Sequence, residues 1–189
     1  MKTSAFFLFL VSFSMVLSTN AQTETHAGPV NWMTFEQAVE ANKKEKRQIF
    51  IDVYTTWCGP CKMMDKLTFA DPEVANILNT HFYPVKLDAE QREDITTLGT
   101  TFKFVPNGRS GYHQLAASLL NNNLQYPTVI FMNEDIKIIQ AIPGFRQPAE
   151  FHPIVQFIGE GHYKKMKWEE WQSSYKSPYP KPASAGSGN

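Results

Sequence analysis

The two cysteines of this 189-residue chain, Cys58 and Cys61, lie three positions apart. The apolar run Ile49–Tyr54 precedes them and predicts a strand that leads through a turn into a helix. The N-terminus of a helix carries unpaired N–H groups and partial positive charge, which stabilise a thiolate. Because a thiolate is the attacking species in disulfide exchange, the spacing predicts a dithiol/disulfide redox centre.

The first 21 residues have the pattern of a secretory signal peptide: Lys2, an apolar core from Ala5 to Leu17 and small residues before Ala21. We expect cleavage after about Ala21 and export, to the periplasm in a bacterium; an uncleaved N-terminal anchor is the alternative. An exported protein that needs disulfide staples usually has several spaced cysteines. A single close pair closes a very short loop and gains little as a cross-link. The pair is therefore interpreted as redox-active and not as a structural cross-link.

The overall charge and the histidines exclude other classes of function. The chain has 18 basic and 18 acidic residues, so no basic surplus indicates binding to nucleic acid. The five histidines show no metal-ligand spacing, and a zinc site would have to recruit two of them to the cysteine pair. That zinc site is the alternative reading of the cysteines. We expect no metal, and no cofactor other than the Cys58–Cys61 disulfide itself.

Helices and strands alternate along the predicted domain. The expected elements are helix 34–46, strand 48–54, helix 58–69, a helix from 71, strand 82–87, strand 128–132, strand 136–142 and helix 148–158. In the cysteine helix, Met63, Met64 and Leu67 are expected to supply apolar contacts. A longer segment separates strand 82–87 from strand 128–132. It has a predicted hairpin over 94–105, a turn at 106–108 and a helix over 112–120.

The C-terminal part predicts an added helix over 162–175, with Trp168 and Trp171 among its large apolar residues. Packing against the domain is the simpler interpretation of these side chains, and docking of a partner is the alternative. The last residues are rich in Pro, Ser and Gly and are expected to be disordered.

Strand, Trp57-Cys58-Gly59-Pro60-Cys61-Lys62 and helix together resemble the thioredoxin family. Further matches follow in the family's order: Asp52, Lys86, the Tyr126-Pro127 loop and Gly144. The resemblance implies an α/β thioredoxin fold, in which helices flank a central mixed β-sheet, with an inserted β-hairpin and a C-terminal helical extension. More narrowly, the chain is similar to exported bacterial thioredoxin-like proteins such as the soluble thioredoxin-like domain of DsbD.

The resulting division of the chain has four parts: signal peptide 1–21, thioredoxin-like domain 30–162, helical extension 163–176 and disordered tail 177–189. The domain contains an insertion over 94–112, because the segment from Lys86 to Pro127 is about twenty residues longer than the family norm. The insertion would either help to select partners or form a plain surface hairpin, and the sequence favours neither.

The resemblance assigns the catalytic roles. Cys58 is the expected nucleophile, Cys61 the resolving thiol, and Gly59 and Pro60 keep the turn between them tight. Asp52 is the expected proton acceptor for Cys61, because burial between apolar neighbours raises the pKa of a carboxyl group. Lys86 is expected to tune that carboxyl group electrostatically.

Substrate is expected to contact Trp57, Gly59 and Pro60 in the cysteine turn and Tyr126 and Pro127 in the loop before the next strand. Pro127 is predicted to follow a cis peptide bond, so that the Tyr126 backbone pairs with an extended substrate as a short added strand. Trp57 would form an apolar floor beside the sulfur of Cys58, and a simple core aromatic is the equal alternative.

The predicted function is that of an exported thiol–disulfide oxidoreductase acting on protein thiols and disulfides. The Gly-Pro spacer resembles reducing members of the family, so a reductase or isomerase-like role with a membrane electron donor is expected. A monomer is favoured. The alternative is a binding module that keeps the fold and holds partners through its hairpin or C-terminal helix.

Overall fold

Four strands form the central sheet of the computed structural model, which describes residues 29–180. The strands β1 (Gln48–Tyr54), β2 (Phe82–Asp88), β7 (Thr128–Met132) and β8 (Ile138–Pro143) lie in the order β2-β1-β7-β8. The strand β1 pairs with β2 in parallel and with β7 antiparallel, and β7 pairs antiparallel with β8. The predicted mixed sheet is confirmed. The predicted signal peptide and residues 181–189 lie outside the described residues.

Five helical segments cover the sheet: α1 (Phe35–Lys44), α2 (Gly59–Met63) continued by a π-helical turn (Met64–Thr68), α3 (Pro72–His81), α4 (Gln114–Leu119) and α5 (Pro148–Gly159). Two of them begin at the residues that the sequence indicates. Thr34 and Gln37 form a capping box on α1. The side chain of Asp71 accepts hydrogen bonds from the backbone N–H groups of Glu73 and Val74 at the start of α3.

The core lies on both faces of the sheet. Ile49, Ile51 and Val53 of β1 face α1 and α4, whereas Phe50 faces a cluster that includes residues of α3, α5 and the π-helical turn. Because side chains alternate along a strand, Asp52 lies on the same face as Phe50. The cysteine helix therefore covers the face of the sheet that carries Asp52.

The cysteine helix packs differently from the prediction. Met64 is buried, but Met63 and Leu67 are 48% and 40% exposed. Met63 and Leu67 are four positions apart and share one helix face, so burying Met64 turns both of them outward. The predicted apolar contacts of Met63 and Leu67 are therefore wrong.

The insertion consists of two hairpins instead of the single predicted one. The first pairs β3 (Ile95–Thr97) with β4 (Thr100–Phe102), and the second pairs β5 (Phe104–Asn107) with β6 (Ser110–His113). The predicted turn at 106–108 lies within the second hairpin. The following helix begins at Gln114 and not near residue 112, because residues 110–113 pair as a strand.

The C-terminal extension is a short 3-10 turn (His162–Lys164) followed by α6 (Trp168–Ser174), not one helix over 162–175. Trp171 is 5% exposed, and its ring centroid lies 5.3 Å from that of Phe157 on α5. The Tyr179 hydroxyl donates a 2.5 Å hydrogen bond to Asp71, so residues 177–180 pack on the domain, contrary to the predicted disorder there. No helix between residues 29 and 180 combines the length and apolar character needed to cross a membrane.

Candidate active site

The cysteine pair lies where β1 ends and α2 begins. Cys58 is the N-cap of α2, and its Sγ accepts a 3.1 Å hydrogen bond from the backbone N–H of Cys61. Cys58 and Cys61 are joined by a disulfide and are 3% and 2% exposed. Gly59 and Pro60 form the exposed first turn of the helix between them. The backbone N–H that caps Cys58 is the kind of donor that stabilises a thiolate after the disulfide is reduced.

Asp52 and Lys86 form an ion pair beneath this turn. Lys86 lies opposite Asp52 in the β1–β2 register, and its Nζ is 2.6 Å from Asp52 Oδ2. Burial raises the pKa of Asp52 from 3.8 to about 6, although the positive charge of Lys86 opposes that rise. The other oxygen, Oδ1, is buried and has no hydrogen-bond partner among the described residues. The structure therefore places a carboxylate with an unused acceptor atom and a pKa near neutrality on the face that the cysteine helix covers.

Asp65 is a second acid at this site, and the sequence analysis missed it. It lies in the π-helical turn and also pairs with Lys86. Burial lowers the pKa of Lys86, but the two carboxylates outweigh burial and the net pKa is raised. Asp65 follows Cys61 by four positions, so it falls on the same helix face, and that spacing was the available signal.

Aromatic rings surround the Lys86 ammonium on its remaining sides. Its Nζ lies 5.0 Å from the ring centroid of Trp32, 4.8 Å from that of Tyr54 and 5.3 Å from that of Phe69. These distances are within the range of cation–π attraction. This attraction favours the charged form of the Lys86 ammonium despite its partial burial.

Two of the predicted substrate-contacting residues, Trp57 and Tyr126, lie in contact, and Trp57 immediately precedes Cys58. The Tyr126–Pro127 peptide bond is cis, as predicted, and Pro127 O accepts a 2.8 Å hydrogen bond from Gly144 N. The rings of Tyr126 and Trp57 meet edge to face with their centroids 6.2 Å apart. Trp57 is 65% exposed, which rules out the alternative reading of a core aromatic.

Glu90 links the cysteine turn to the insertion. One carboxylate oxygen accepts a 3.1 Å hydrogen bond from Trp57 Nε1, and the other accepts a 2.9 Å hydrogen bond from the Ser110 hydroxyl. Glu90 lies in the loop after β2 and Ser110 in β6, so no sequence spacing joins them. Sequence reasoning missed both residues for that reason. Within residues 29–180, no three His, Cys, Asp or Glu side chains are grouped to hold a metal ion.

A family model matches residues 17–151, well over half of the chain. Its description is Thioredox_DsbH, a protein of unknown function, DUF255. The match includes both cysteines, Asp52, Lys86 and the Tyr126-Pro127 loop.

Curated relatives match a shorter part of the chain. Spermatogenesis-associated protein 20 of Rattus norvegicus is 32% identical over 85 residues, which are 44% of this chain and 11% of the relative. The thiol:disulfide interchange protein DsbD of Escherichia coli K12 is 31% identical over 80 residues, 41% of this chain and 14% of DsbD. The matched part of the chain therefore spans about a tenth to a seventh of these relatives' length.

Solved structures share the fold. A structure described as "DsbH Oxidoreductase" superposes with a TM-score of 0.53 at 17% identity, covering 79% of this chain and 96% of the other. A thioredoxin-fold protein from Helicobacter pylori superposes with a TM-score of 0.52 at 14% identity, covering 69% and 82%. At these identities the likeness shows the thioredoxin fold alone, which is the fold class predicted from the sequence.

Proposed function

The chain belongs to the DsbH-like thioredoxin family, DUF255, and from that membership we propose that it is an exported protein-disulfide reductase. The observation that carries the proposal is the placement of Cys58 as the N-cap of α2, bonded to Cys61 and capped by its backbone N–H. Sulfur at that position is activated as a thiolate and has its resolving partner within reach.

The reaction proceeds through two disulfide exchanges. The Cys58 thiolate attacks one sulfur of a substrate disulfide, so that a Cys58–substrate disulfide forms and the first substrate sulfur leaves as a thiolate. The Cys61 thiolate then attacks Cys58 Sγ, so that the Cys58–Cys61 disulfide forms and the second substrate thiolate leaves. Two electrons pass to the substrate, whose thiolates take up two protons. A dithiol donor must then reduce the Cys58–Cys61 disulfide.

Asp52 is the base in the second exchange. Cys61 is 2% exposed, and burial raises the pKa of a thiol, so its proton needs a nearby acceptor. Asp52 is 1% exposed, has an unused Oδ1 and has a pKa of about 6, which suits transfer near neutral pH. Lys86 and Asp65 act on Asp52 and are positioning residues.

Three features of the proposal rest on the sequence and on the printed names of relatives. The first 21 residues support export to the periplasm. The name of DsbD, a thiol:disulfide interchange protein, supports thiol–disulfide exchange with protein substrates. A membrane electron donor is proposed from the sequence resemblance to exported thioredoxin-like proteins. The Gly59-Pro60 spacer supports the reducing direction. A reduction potential near that of thioredoxin, roughly −270 mV, is expected, and a value near −120 mV would reverse the direction.

Trapping of mixed disulfides tests the proposal. In the Cys61→Ala variant, Cys58 attacks a substrate disulfide but nothing resolves the adduct, so dithiothreitol-sensitive adducts with other proteins should accumulate. The Cys58→Ala variant is the matched control and should form far fewer adducts, because the remaining Cys61 thiol lies inside α2 and is not the group that caps its N-terminus. Equal trapping by the two variants would assign the nucleophile to Cys61 and sink the stated mechanism. The identity of the trapped proteins names both substrate and donor.

A further inference from the structure

The second hairpin of the insertion, β5–β6, reaches the residue that precedes Cys58. The Glu90 carboxylate stands between them and accepts hydrogen bonds from the Trp57 indole and the Ser110 hydroxyl, at 3.1 and 2.9 Å. Both partners are neutral donors on otherwise exposed side chains. The hairpin therefore adjoins the exposed face of Trp57, where a substrate approaches the cysteines.

The hairpin is fixed to the domain at its base. The backbone N–H of His113 donates a 2.6 Å hydrogen bond to Ala89 O, in the loop that follows β2. Phe104 lies directly over Gly111, where an added Cβ would stand only 2.1 Å from its ring. These contacts hold the β5–β6 hairpin in a fixed position beside the site.

A cavity of about 200 Å³ lies between this hairpin and the cysteine turn. It is lined by Thr56 of the cysteine turn, by charged residues at and after the end of β2 (Asp88, Glu90 and Arg92) and by Phe104 and Arg109 of the hairpin. Thr56 is two positions from Cys58, and two residues of extended chain span about 7 Å at most. When the cysteine of an extended substrate lies at Cys58, the substrate residue two or three positions from that cysteine therefore reaches the cavity.

The carboxylates of the cavity accept hydrogen bonds from neighbouring groups, whereas its guanidinium groups have no carboxylate partner. Asp88 Oδ1 accepts from Glu90 N at 2.9 Å, and both oxygens of Glu90 already accept hydrogen bonds. The guanidinium of Arg92 stacks on Phe104, with Cζ 4.7 Å from the ring centroid. Neither Arg92 nor Arg109 has a carboxylate within 4 Å among residues 29–180. The cavity thus has two guanidinium groups without a carboxylate partner, beside two carboxylates of which only Asp88 Oδ2 accepts no hydrogen bond from the described residues.

We propose that this cavity binds an acidic side chain that lies two or three residues from the reactive cysteine of a protein substrate. Arginine presents planar paired donors that match a carboxylate, and the ring of Phe104 holds one of the two guanidinium groups in place. The β5–β6 hairpin is then a specificity element of the reductase, with Arg109 at its exposed tip as the main contact. This inference rests on the proposed reductase function and names its substrate class.

Paired peptides test the proposal. Two disulfide-bonded peptides, identical except for Glu or Lys two residues from the cysteine, are reduced by the full chain with dithiothreitol as donor. The Glu peptide should have the higher kcat/KM, by up to about fivefold at low ionic strength, because exposed ion pairs contribute that much and are screened by salt. In Arg109→Gln the ratio of the two kcat/KM values should fall toward one. The fall should come from KM and not from kcat. Thr101→Val, which removes an exposed hydroxyl pair from the other hairpin, is the control and should keep the wild-type ratio.

The outcomes separate this inference from the proposed function. Wild-type acceleration of insulin reduction by dithiothreitol supports the function whatever the peptides show. A peptide ratio near one, or faster turnover of glutathione disulfide than of the Glu peptide, overturns the inference alone. If no disulfide is reduced, the function fails, and NMR titration of the oxidised chain with Cys→Ser versions of the peptides decides the inference. Tighter binding of the Glu peptide would support it, and equal binding would overturn it.

Discussion

Lys86 lies directly opposite Asp52 in the parallel pairing of β1 with β2, and its Nζ is 2.6 Å from Asp52 Oδ2. The pair sits on the sheet face that the cysteine helix covers. Burial still dominates the titration of Asp52, whose pKa is about 6. The account of catalysis depends on this balance, because a stronger pairing would keep Asp52 ionised and a poor base.

The pH dependence of stability should reveal the buried acid. With a folded-state pKa near 6 and an unfolded value near 3.8, Asp52 holds a proton only in the folded state between those pH values. Its contribution to stability is therefore present below pH 3.8 and is lost as the pH rises through 6. In Asp52→Asn that loss disappears. The unfolding free energy of the oxidised variant, relative to wild type, should rise by about 2 kcal/mol from pH 4 to pH 7. A difference that is constant with pH would contradict the raised pKa.

The same substitution should slow the second disulfide exchange. Removing a positioned general base costs roughly a hundredfold to ten-thousandfold in rate, and Asn cannot accept the Cys61 proton. Stopped-flow measurement of substrate release from the mixed disulfide should show the loss at pH 7, while formation of the mixed disulfide changes less. Equal slowing of both steps would indicate a structural role for Asp52.

Neutralising the two partners of this site should move the pKa of Asp52 in opposite directions. Lys86→Gln leaves burial unopposed, so the pKa of Asp52 should rise above about 6. Asp65→Asn removes a negative charge that raises this pKa, so the pKa should fall. NMR titration of the Asp52 carboxyl carbon in the oxidised protein measures both shifts. Asp94→Asn, at an exposed ion pair with Lys103 in the insertion, is the control and should leave the titration unchanged. Shifts of the same sign in Lys86→Gln and Asp65→Asn would contradict the arrangement.

The C-terminal helix should contribute to stability. Trp171 is 5% exposed and packs on Phe157, so Trp171→Ala should lower the unfolding free energy by about 3 kcal/mol in denaturant titration. Met63→Ala, at a side chain that is 48% exposed, should change it by less than about 0.5 kcal/mol. A neutral Trp171→Ala would favour the alternative in which this helix docks a partner.

Local sequence signals predicted the elements that bear the cysteines and the acid. The run Gln48–Tyr54 is mostly apolar and lies between charged residues and the cysteine turn, which sets its limits as a strand. The side chains of Thr34 and Asp71 cap their helices by accepting hydrogen bonds from backbone N–H groups two or three residues further along the chain. Such short-range chemistry is legible in one sequence.

Long-range contacts escaped prediction. Glu90 gained its role from Trp57 on one side and Ser110 on the other, which are 33 and 20 positions away. The exposure of Met63 and Leu67 depended on which face of the cysteine helix met the sheet, and apolar residues on both faces left that choice open. The second hairpin was missed because strand pairing in residues 110–113 competed with a helix that begins only one residue later.

Catalysed reduction of insulin by dithiothreitol, followed as turbidity, tests the central claim most directly. The wild-type chain should accelerate precipitation of the insulin B chain, and Cys58→Ala should return the rate to that of dithiothreitol alone. Circular dichroism and thermal unfolding of the variant, compared with the reduced wild type, show whether its fold is intact. A folded Cys58→Ala protein that retains the wild-type acceleration would contradict the claim that Cys58 is the nucleophile of a disulfide reductase.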